Sequence, residues 1–215
     1  MQPRPIGILG GSFDPVHNGH LRVAIETIEA LDLEHLRLVP LSQPNAAKSA
    51  AAPAALRLEM LRAATLGEPR LRVDDRELRR AGISYTVETL VSLRREFADR
   101  SLCLVMGMDA FAGLTAWKDW QRLPMLSHLV VADRPGACMP DSAELRALLA
   151  SAGTDDPGRL RRERCGRILI LHAAALDISS TEIRNRLACG RSVRYLVPDA
   201  VAELLCQHPV YKPGA

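Results

Sequence analysis

The sequence predicts an α/β protein built on a doubly wound parallel sheet, and two observations carry that prediction. Short apolar runs alternate with amphipathic helical stretches along the chain, a βαβα rhythm. Two of these runs end in turns, one rich in glycine and one in hydroxyl residues, that open directly into a helix, and such sheets bind ligands at the carboxyl ends of their strands.

Taken in order, the first strand is the apolar run Ile6-Gly7-Ile8-Leu9, and Leu21, Ala24, Ile25, Ile28 and Leu31 then repeat at helical spacing. Further strands are expected at 36–39, 71–73, 102–106, 129–131 and 168–171, with helices at 21–31, 56–66, 87–97, 142–152, 180–189 and 199–207. The connection from Pro40 to Ala55, rich in Ala, Pro and Ser, reads as a mobile loop near the ligand-binding rim. No repeat and no linker divides the chain, so residues 1–215 are expected to form a single domain, its helical C-terminal part from about 180 packing on the sheet.

Composition narrows the function classes. At 215 residues and 47% hydrophobic content the chain can bury a full core. The formal net charge of +3 is mild, and no basic face is interleaved with aromatics, which gives no sign of nucleic-acid binding. The arginine-dense run from Arg159 to Arg167 reads as a solvated face. Five cysteines lie scattered without C-x-x-C spacing, so neither a zinc ribbon nor a disulfide scaffold is expected. With no apolar stretch of membrane-span or signal-peptide length, the expected location is the cytoplasm, away from membranes. The sequence is silent on oligomeric state.

The most informative stretch is Gly10-Gly11-Ser12-Phe13-Asp14-Pro15-Val16-His17-Asn18-Gly19-His20. It lies between a strand and a helix, where free N–H groups and the positive end of the helix dipole favour an anion. Gly10 and Gly11 allow close main-chain approach to a phosphate, and His17 and His20 sit three apart across the first turn, where both can donate to phosphate oxygens. A Gly-Gly turn alone is more often only a turn, and a histidine pair also suggests a metal, but no carboxylate or third histidine stands nearby at ligand spacing. Phosphate therefore ranks above zinc, and no protein-held metal is expected.

A second stretch, Ile178-Ser179-Ser180-Thr181-Glu182-Ile183-Arg184, follows the strand near 168–171 and opens a helix that Gly190 can close. Ser179 with Glu182 is also an ordinary capping box. A cap needs one hydroxyl, however, whereas Ser179, Ser180 and Thr181 supply three and Arg184 adds a fixed charge, a donor set that suits a triphosphate.

These paired motifs resemble those of the HxGH nucleotidyltransferase superfamily, specifically the bacterial nicotinate-mononucleotide adenylyltransferases. Between them, Ser84-Tyr85-Thr86, Gly107-Met108-Asp109-Ala110-Phe111, Trp117-Lys118-Asp119-Trp120 and Asp133-Arg134-Pro135 recur in that family's order. After them, Ser192-Val193-Arg194-Tyr195-Leu196-Val197-Pro198 resembles its C-terminal segment. The resemblance implies a Rossmann-like nucleotidyltransferase fold. It also implies an enzyme of NAD biosynthesis that transfers the adenylyl group of ATP to a pyridine mononucleotide, nicotinate mononucleotide, forming deamido-NAD and pyrophosphate. Mg2+ would be held mainly through the ATP phosphates.

Under that resemblance His17, His20 and Arg184 are the catalytic residues, neutralising charge as the bond to pyrophosphate breaks. Gly10, Gly11, Ser12, Phe13 and Gly19 form the ATP cradle, while Ile178, Ser179, Ser180 and Thr181 meet the β- and γ-phosphates. Gly107 admits the adenosine and Asp109 accepts from its ribose, the alternative for Gly107-Met108-Asp109 being a helix start capped by Asp109. For the acceptor, Trp117 is the platform for the pyridine ring, although a core role is open for either tryptophan. Thr86 and the backbone near Lys118 meet the pyridine carboxylate, Arg134 meets the acceptor phosphate, and Asp14 and Lys48 complete the acceptor set.

One segment departs from the family pattern. Where the family has an asparagine after the proline ending its second strand, then a Pro-Pro-His-Lys/Arg tetrad, this chain reads Pro40-Leu41-Ser42-Gln43-Pro44-Asn45-Ala46-Ala47-Lys48, with Lys48 as the one basic candidate. The alternatives are an adenylyltransferase of the same superfamily with a different or altered mononucleotide acceptor, and a nucleotide-binding sensor without turnover. A structural protein would leave two phosphate-type turns unexplained.

Overall fold

The computed structural model describes residues 3–43, 50–80, 82–133, 141–172 and 176–211. The strands are β1 (Ile6–Gly11), β2 (His35–Pro40), β3 (Leu71–Val73), β4 (Leu102–Gly107), β5 (His128–Asp133) and β6 (Ile168–His172). They form a parallel six-stranded sheet in the order β3-β2-β1-β4-β5-β6. Chain order therefore reverses between β1 and β4, and the carboxyl ends of these two strands flank the crevice in which doubly wound sheets bind ligands.

The helices are α1 (Asn18–Ala30), α2 (Ala54–Thr65), α3 (Thr86–Glu96), α4 (Met108–Ala112), α5 (Leu123–Leu126), α6 (Ala143–Ala152), α7 (Pro157–Arg162), α8 (Ser180–Ala188) and α9 (Asp199–Gln207). Strand alternation divides the core between two faces. Leu9, Cys103, Val105, Val130 and Leu169 pack on one face with residues of α1, α2, α8 and α9, while Ile8, Leu104, Met106, Val131 and Ile168 pack on the other with residues of α3 to α6. The near-continuous apolar composition of β4 and β5 follows, because both of their faces are covered.

Each expected strand is present, and all but β3 extend beyond the apolar run, to Gly11, Pro40, Gly107, Asp133 and His172 at their carboxyl ends. The ladder continues there after hydrophobicity has fallen, because these residues face the rim rather than the core. The helices α5 and α7, and the 3-10 turns at Leu114–Ala116 and Trp120–Arg122, were not expected, being too short to show a period, while α4 begins where a helix start at Gly107-Met108-Asp109 stood as an alternative. The arginine-dense run falls partly on α7, where Arg159, Arg161 and Arg162 pair with Glu163, Asp32 and Asp156.

Two helix ends place the motifs. α1 stops where Asp32 enters the left-handed region at φ 47° and the Leu33 N–H returns to the Ile28 carbonyl at 3.0 Å. α8 ends as the sequence suggests: Gly190 sits at φ 66° and the Arg191 N–H bonds the Arg186 carbonyl at 2.8 Å. The expected loop from Pro40 ends where α2 begins at Ala54, and Lys48 lies outside the described residues.

Candidate active site

A cavity of about 640 Å³ opens at the carboxyl ends of β1 and β4. Among the site residues expected from the sequence, it brings together Gly10, Gly11, His17, Gly19 and His20 from the first motif and Ile178, Ser179 and Ser180 from the second. Gly107 borders it from β4, and Thr86, Trp117 and Lys118 also line it. Residues far apart in sequence thus share one chamber.

Direct contacts tie the motifs together. The Ser180 hydroxyl donates to the Pro15 carbonyl at 2.9 Å, and one Arg184 guanidinium nitrogen donates to the Asp14 carbonyl at 2.7 Å. A Cβ built on Gly19 would stand 3.0 Å from His17 Nδ1 and 3.5 Å from the Ile178 carbonyl oxygen, so the glycine permits the close approach of the second motif. The α1 amino end is also tied to the chain beyond α8, through the Asn18 N–H to the Leu196 carbonyl and the Asn18 amide to the Tyr195 carbonyl, both at 2.9 Å.

Gly10 and Gly107 have a different reason to lack side chains. A Cβ on either meets nothing within 4 Å, and neither has a positive φ, so what the glycines preserve is cavity space beside the strand ends. Gly11 is closed in by the ring of Phe13, 3.3 Å from its would-be Cβ.

His17 is the N-cap of α1 in extended conformation, and its ring stacks on that of His20 with centroids 3.7 Å apart. The His17 backbone N–H donates to His20 Nδ1 at 3.3 Å. Nδ1 is therefore the acceptor nitrogen of a neutral ring, and Nε2 carries the proton available for a ligand. Burial, reinforced by the neighbouring His17, lowers the His20 pKa to about 3, which keeps the ring uncharged near neutrality. The Phe13 ring, fully buried, meets His20 edge-on at 5.1 Å.

In the second motif Ser179 is both cap and wall. Its hydroxyl oxygen accepts from the Glu182 N–H at 3.1 Å, the capping geometry, while the residue borders the cavity at the amino end of α8. Its O–H remains a donor.

Several expected site residues stand elsewhere. Phe13 is core and shapes the site through His20, and Ser12 gives its carbonyl to Arg57 at 2.7 Å. Asp14, expected among acceptor ligands, is 2% exposed and does not border the cavity. Its carboxylate accepts from the Ala51 and Ala52 N–H groups at 2.7 and 3.1 Å and from the Tyr211 hydroxyl at 2.6 Å. Asp109 is exposed in the first turn of α4 and neither borders the cavity nor caps that helix, whose N-cap is Gly107. Thr181 and Arg184 lie just behind the wall, bonded to each other at 3.1 Å. Arg134 lies outside the described residues.

Bordering the same chamber, α3 presents its amino terminus, with Tyr85 as N-cap and Thr86 as first residue. The first N–H groups of a helix have no partner within it and favour an anion. Trp117 is partly buried against the Leu90 and Phe111 cluster and borders the cavity. Lys118 spends its charge locally: Nζ lies 2.9 Å from Glu88 and 4.1 Å above the Tyr85 ring. Its pairing with Glu88 leaves little net charge to select an acidic ligand.

Sequence reading assigned no site role to five polar lining residues, Glu77, Ser84, Tyr85, Thr89 and Asp133. Asp133 ends β5, and its place at a strand's carboxyl end was a usable signal. Glu77, 3% exposed, accepts from the Thr89 hydroxyl, and no local motif announces that contact. Among the described residues no group of three His, Cys, Asp or Glu converges as a metal cage.

The cytidylyltransferase-like family matches residues 8–186 of the chain. Among curated relatives, a "Probable nicotinate-nucleotide adenylyltransferase" of Marinobacter nauticus is 45% identical over 197 residues, 91% of each chain. One of the same description from Pseudomonas syringae pv. tomato is 46% identical over 98% of this chain and 95% of its own. The chain belongs to this adenylyltransferase family of nucleotidyltransferases. A solved relative in fold, a Plasmodium falciparum nicotinic acid mononucleotide adenylyltransferase complexed with NaAD, superposes with a TM-score of 0.75 over 97% of both chains at 15% identity. The family fold accounts for the sheet order and for the position of the chamber at its switch point.

Proposed function

We propose that the chain transfers the adenylyl group of ATP to nicotinate mononucleotide, releasing pyrophosphate and forming deamido-NAD. The observation that carries this reading is that the histidines of the first motif and the serines of the second border one cavity. Full-length relatives described as nicotinate-nucleotide adenylyltransferases support it.

In this reading an oxygen of the mononucleotide 5′-phosphate attacks the α-phosphorus of ATP, and the bond to the bridging oxygen of pyrophosphate breaks. No nucleophile on the protein is needed, so the work falls to positioning and charge neutralisation. Neutral His20 donates from Nε2 to a phosphate oxygen on which charge grows, with His17 stacked beside it. The amino end of α8, with Ser179 and Ser180, receives the outer phosphates, and Arg184 supplies a fixed charge from behind Thr181. Space beside Gly10 and Gly107 accommodates the nucleoside.

The pyridine ring stacks on Trp117, and its carboxylate meets the amino end of α3 at Thr86. Those N–H groups favour an anion over a neutral amide, whereas the neutralised Lys118 adds little. The donor set also suits magnesium that arrives bound to ATP phosphates, which would supply further charge neutralisation.

Within this reading residues 1–215 act as a single domain, with α9 packed on α2. Among the described residues no helix is long and apolar enough to cross a membrane, and we place the protein in the cytoplasm. Pyrophosphate release with ATP, magnesium and a panel of pyridine mononucleotides tests the function. Strong preference for the nicotinate form is expected; no release with any acceptor would overturn it.

A further inference from the structure

Asp14 is a junction of four chain segments. One of its carboxylate oxygens, Oδ1, accepts from the Tyr211 hydroxyl at 2.6 Å and the Ala52 N–H at 3.1 Å, while Oδ2 accepts from the Ala51 N–H at 2.7 Å. Arg184 donates to the Asp14 carbonyl at 2.7 Å and has the same nitrogen 3.9 Å from Oδ2. On another side Arg57, 1% exposed, holds the carbonyls of Ser12, Leu41, Ser42 and Ala52. A carboxylate buried to this degree needs its lone pairs filled.

Arg184 faces a choice between two anions. Its guanidinium is about one-third exposed at 31%, beside the wall formed by the amino end of α8, and it already leans on Asp14. The other donors to Asp14 decide how strongly that carboxylate pulls on it. With Tyr211, Ala51 and Ala52 in place, three hydrogen bonds satisfy the carboxylate and Arg184 stands off from it as a long ion pair at 3.9 Å. A second guanidinium nitrogen donates to the Thr181 hydroxyl at 3.1 Å, and the N–H groups left over stay available to a triphosphate.

We propose that Tyr211 is a positioning residue for ATP: by occupying Asp14 Oδ1 it keeps the Arg184 guanidinium from closing onto the carboxylate, so that the N–H groups not bonded to the Asp14 carbonyl and the Thr181 hydroxyl can meet a triphosphate. The bond reaches across 197 residues from the carboxyl-terminal part of the chain to the phosphate turn. This rests on the adenylyl-transfer reading, and it assigns to Tyr211 a substrate effect transmitted through a different side chain.

The test is equilibrium binding of a non-hydrolysable ATP analogue with magnesium, measured for the wild type, Tyr211→Phe, Arg184→Gln and the double variant, with thermal unfolding of each. Tyr211→Phe is expected to weaken the analogue about five- to tenfold, the net scale of one hydrogen bond, and to leave nicotinate mononucleotide affinity unchanged. In the Arg184→Gln background the same change is expected to have no effect. Unchanged analogue affinity in folded Tyr211→Phe, equal weakening with and without Arg184, or failure of Tyr211→Phe to fold would overturn the assignment in favour of a purely structural bond. If the wild type itself binds no analogue, the adenylyl-transfer reading fails first.

Discussion

The Ser180 hydroxyl donates to the Pro15 carbonyl at 2.9 Å, a bond between residues 165 positions apart that brings the amino ends of α8 and α1 to one chamber. Removing it in Ser180→Ala is expected to destabilise the fold by about 1 kcal/mol. It should also raise the KM for ATP, because the turns at the amino ends of α1 and α8, proposed to hold the phosphates, lose their common register. Urea unfolding together with initial-rate kinetics reads both effects; an unchanged KM would show that the register is held elsewhere.

His20 is a neutral donor. His20→Ala should lower kcat by roughly a hundredfold or more, the scale of one lost transition-state donor, with little loss of folded protein. Near-normal turnover would remove His20 from the chemistry.

Gly107→Val separates folding from binding. A Cβ there meets no protein atom within 4 Å, and the backbone, at φ −74° and ψ 161°, suits any residue. The variant should keep its melting temperature within a few degrees, on the order of a surface substitution, while ATP binding falls below detection. Retained affinity would show that the nucleoside lies elsewhere.

Trp117→Ala should act on the mononucleotide KM and leave the KM for ATP near its wild-type value, because in the proposed reaction Trp117 meets only the pyridine ring. Kinetics with each substrate varied in turn decides this, and an unchanged mononucleotide KM would take Trp117 out of the acceptor site.

Acid should weaken the fold above the range where carboxylates titrate. Burial on β2, aided by Arg72 and Arg37, lowers the His35 pKa to about 4, against an ordinary value of 6.5. Between these values the unfolded chain binds the extra proton, so stability rises with pH across that window and is lost as pH falls through it. The slope is at most about 1.4 kcal/mol per pH unit for this group. Unfolding free energies at pH 4.5, 5.5 and 6.5 should show a shallower dependence in His35→Gln than in the wild type; identical slopes would refute the assignment.

Much of the architecture was legible because it is periodic. β1, β4 and β6 are apolar runs covered on both faces, and α1 and α3 carry their apolar stripes at helical spacing. Short elements such as α5 and α7 were not, since one or two turns show no period. At the cavity, the positions of His17, His20 and Ser179 were readable from local context, as residues at helix starts after strands. Asp14 misled: its neighbours in the sequence belong to a ligand motif, but its own carboxylate is filled by Ala51, Ala52 and Tyr211.

What the amino-acid order determined by itself is local: which segments become strands and helices, where helices begin and end, and which turns offer N–H groups and hydroxyls to a phosphate. These follow from side-chain spacing and backbone preference over a few residues. Only the tertiary structure decided which polar groups face the cavity and which are spent inside the fold. Arg184 turned behind the wall onto Asp14, and Lys118 paired with Glu88, are outcomes of distant segments meeting. A donor's availability depends on every acceptor within reach, and sequence spacing does not fix those neighbours.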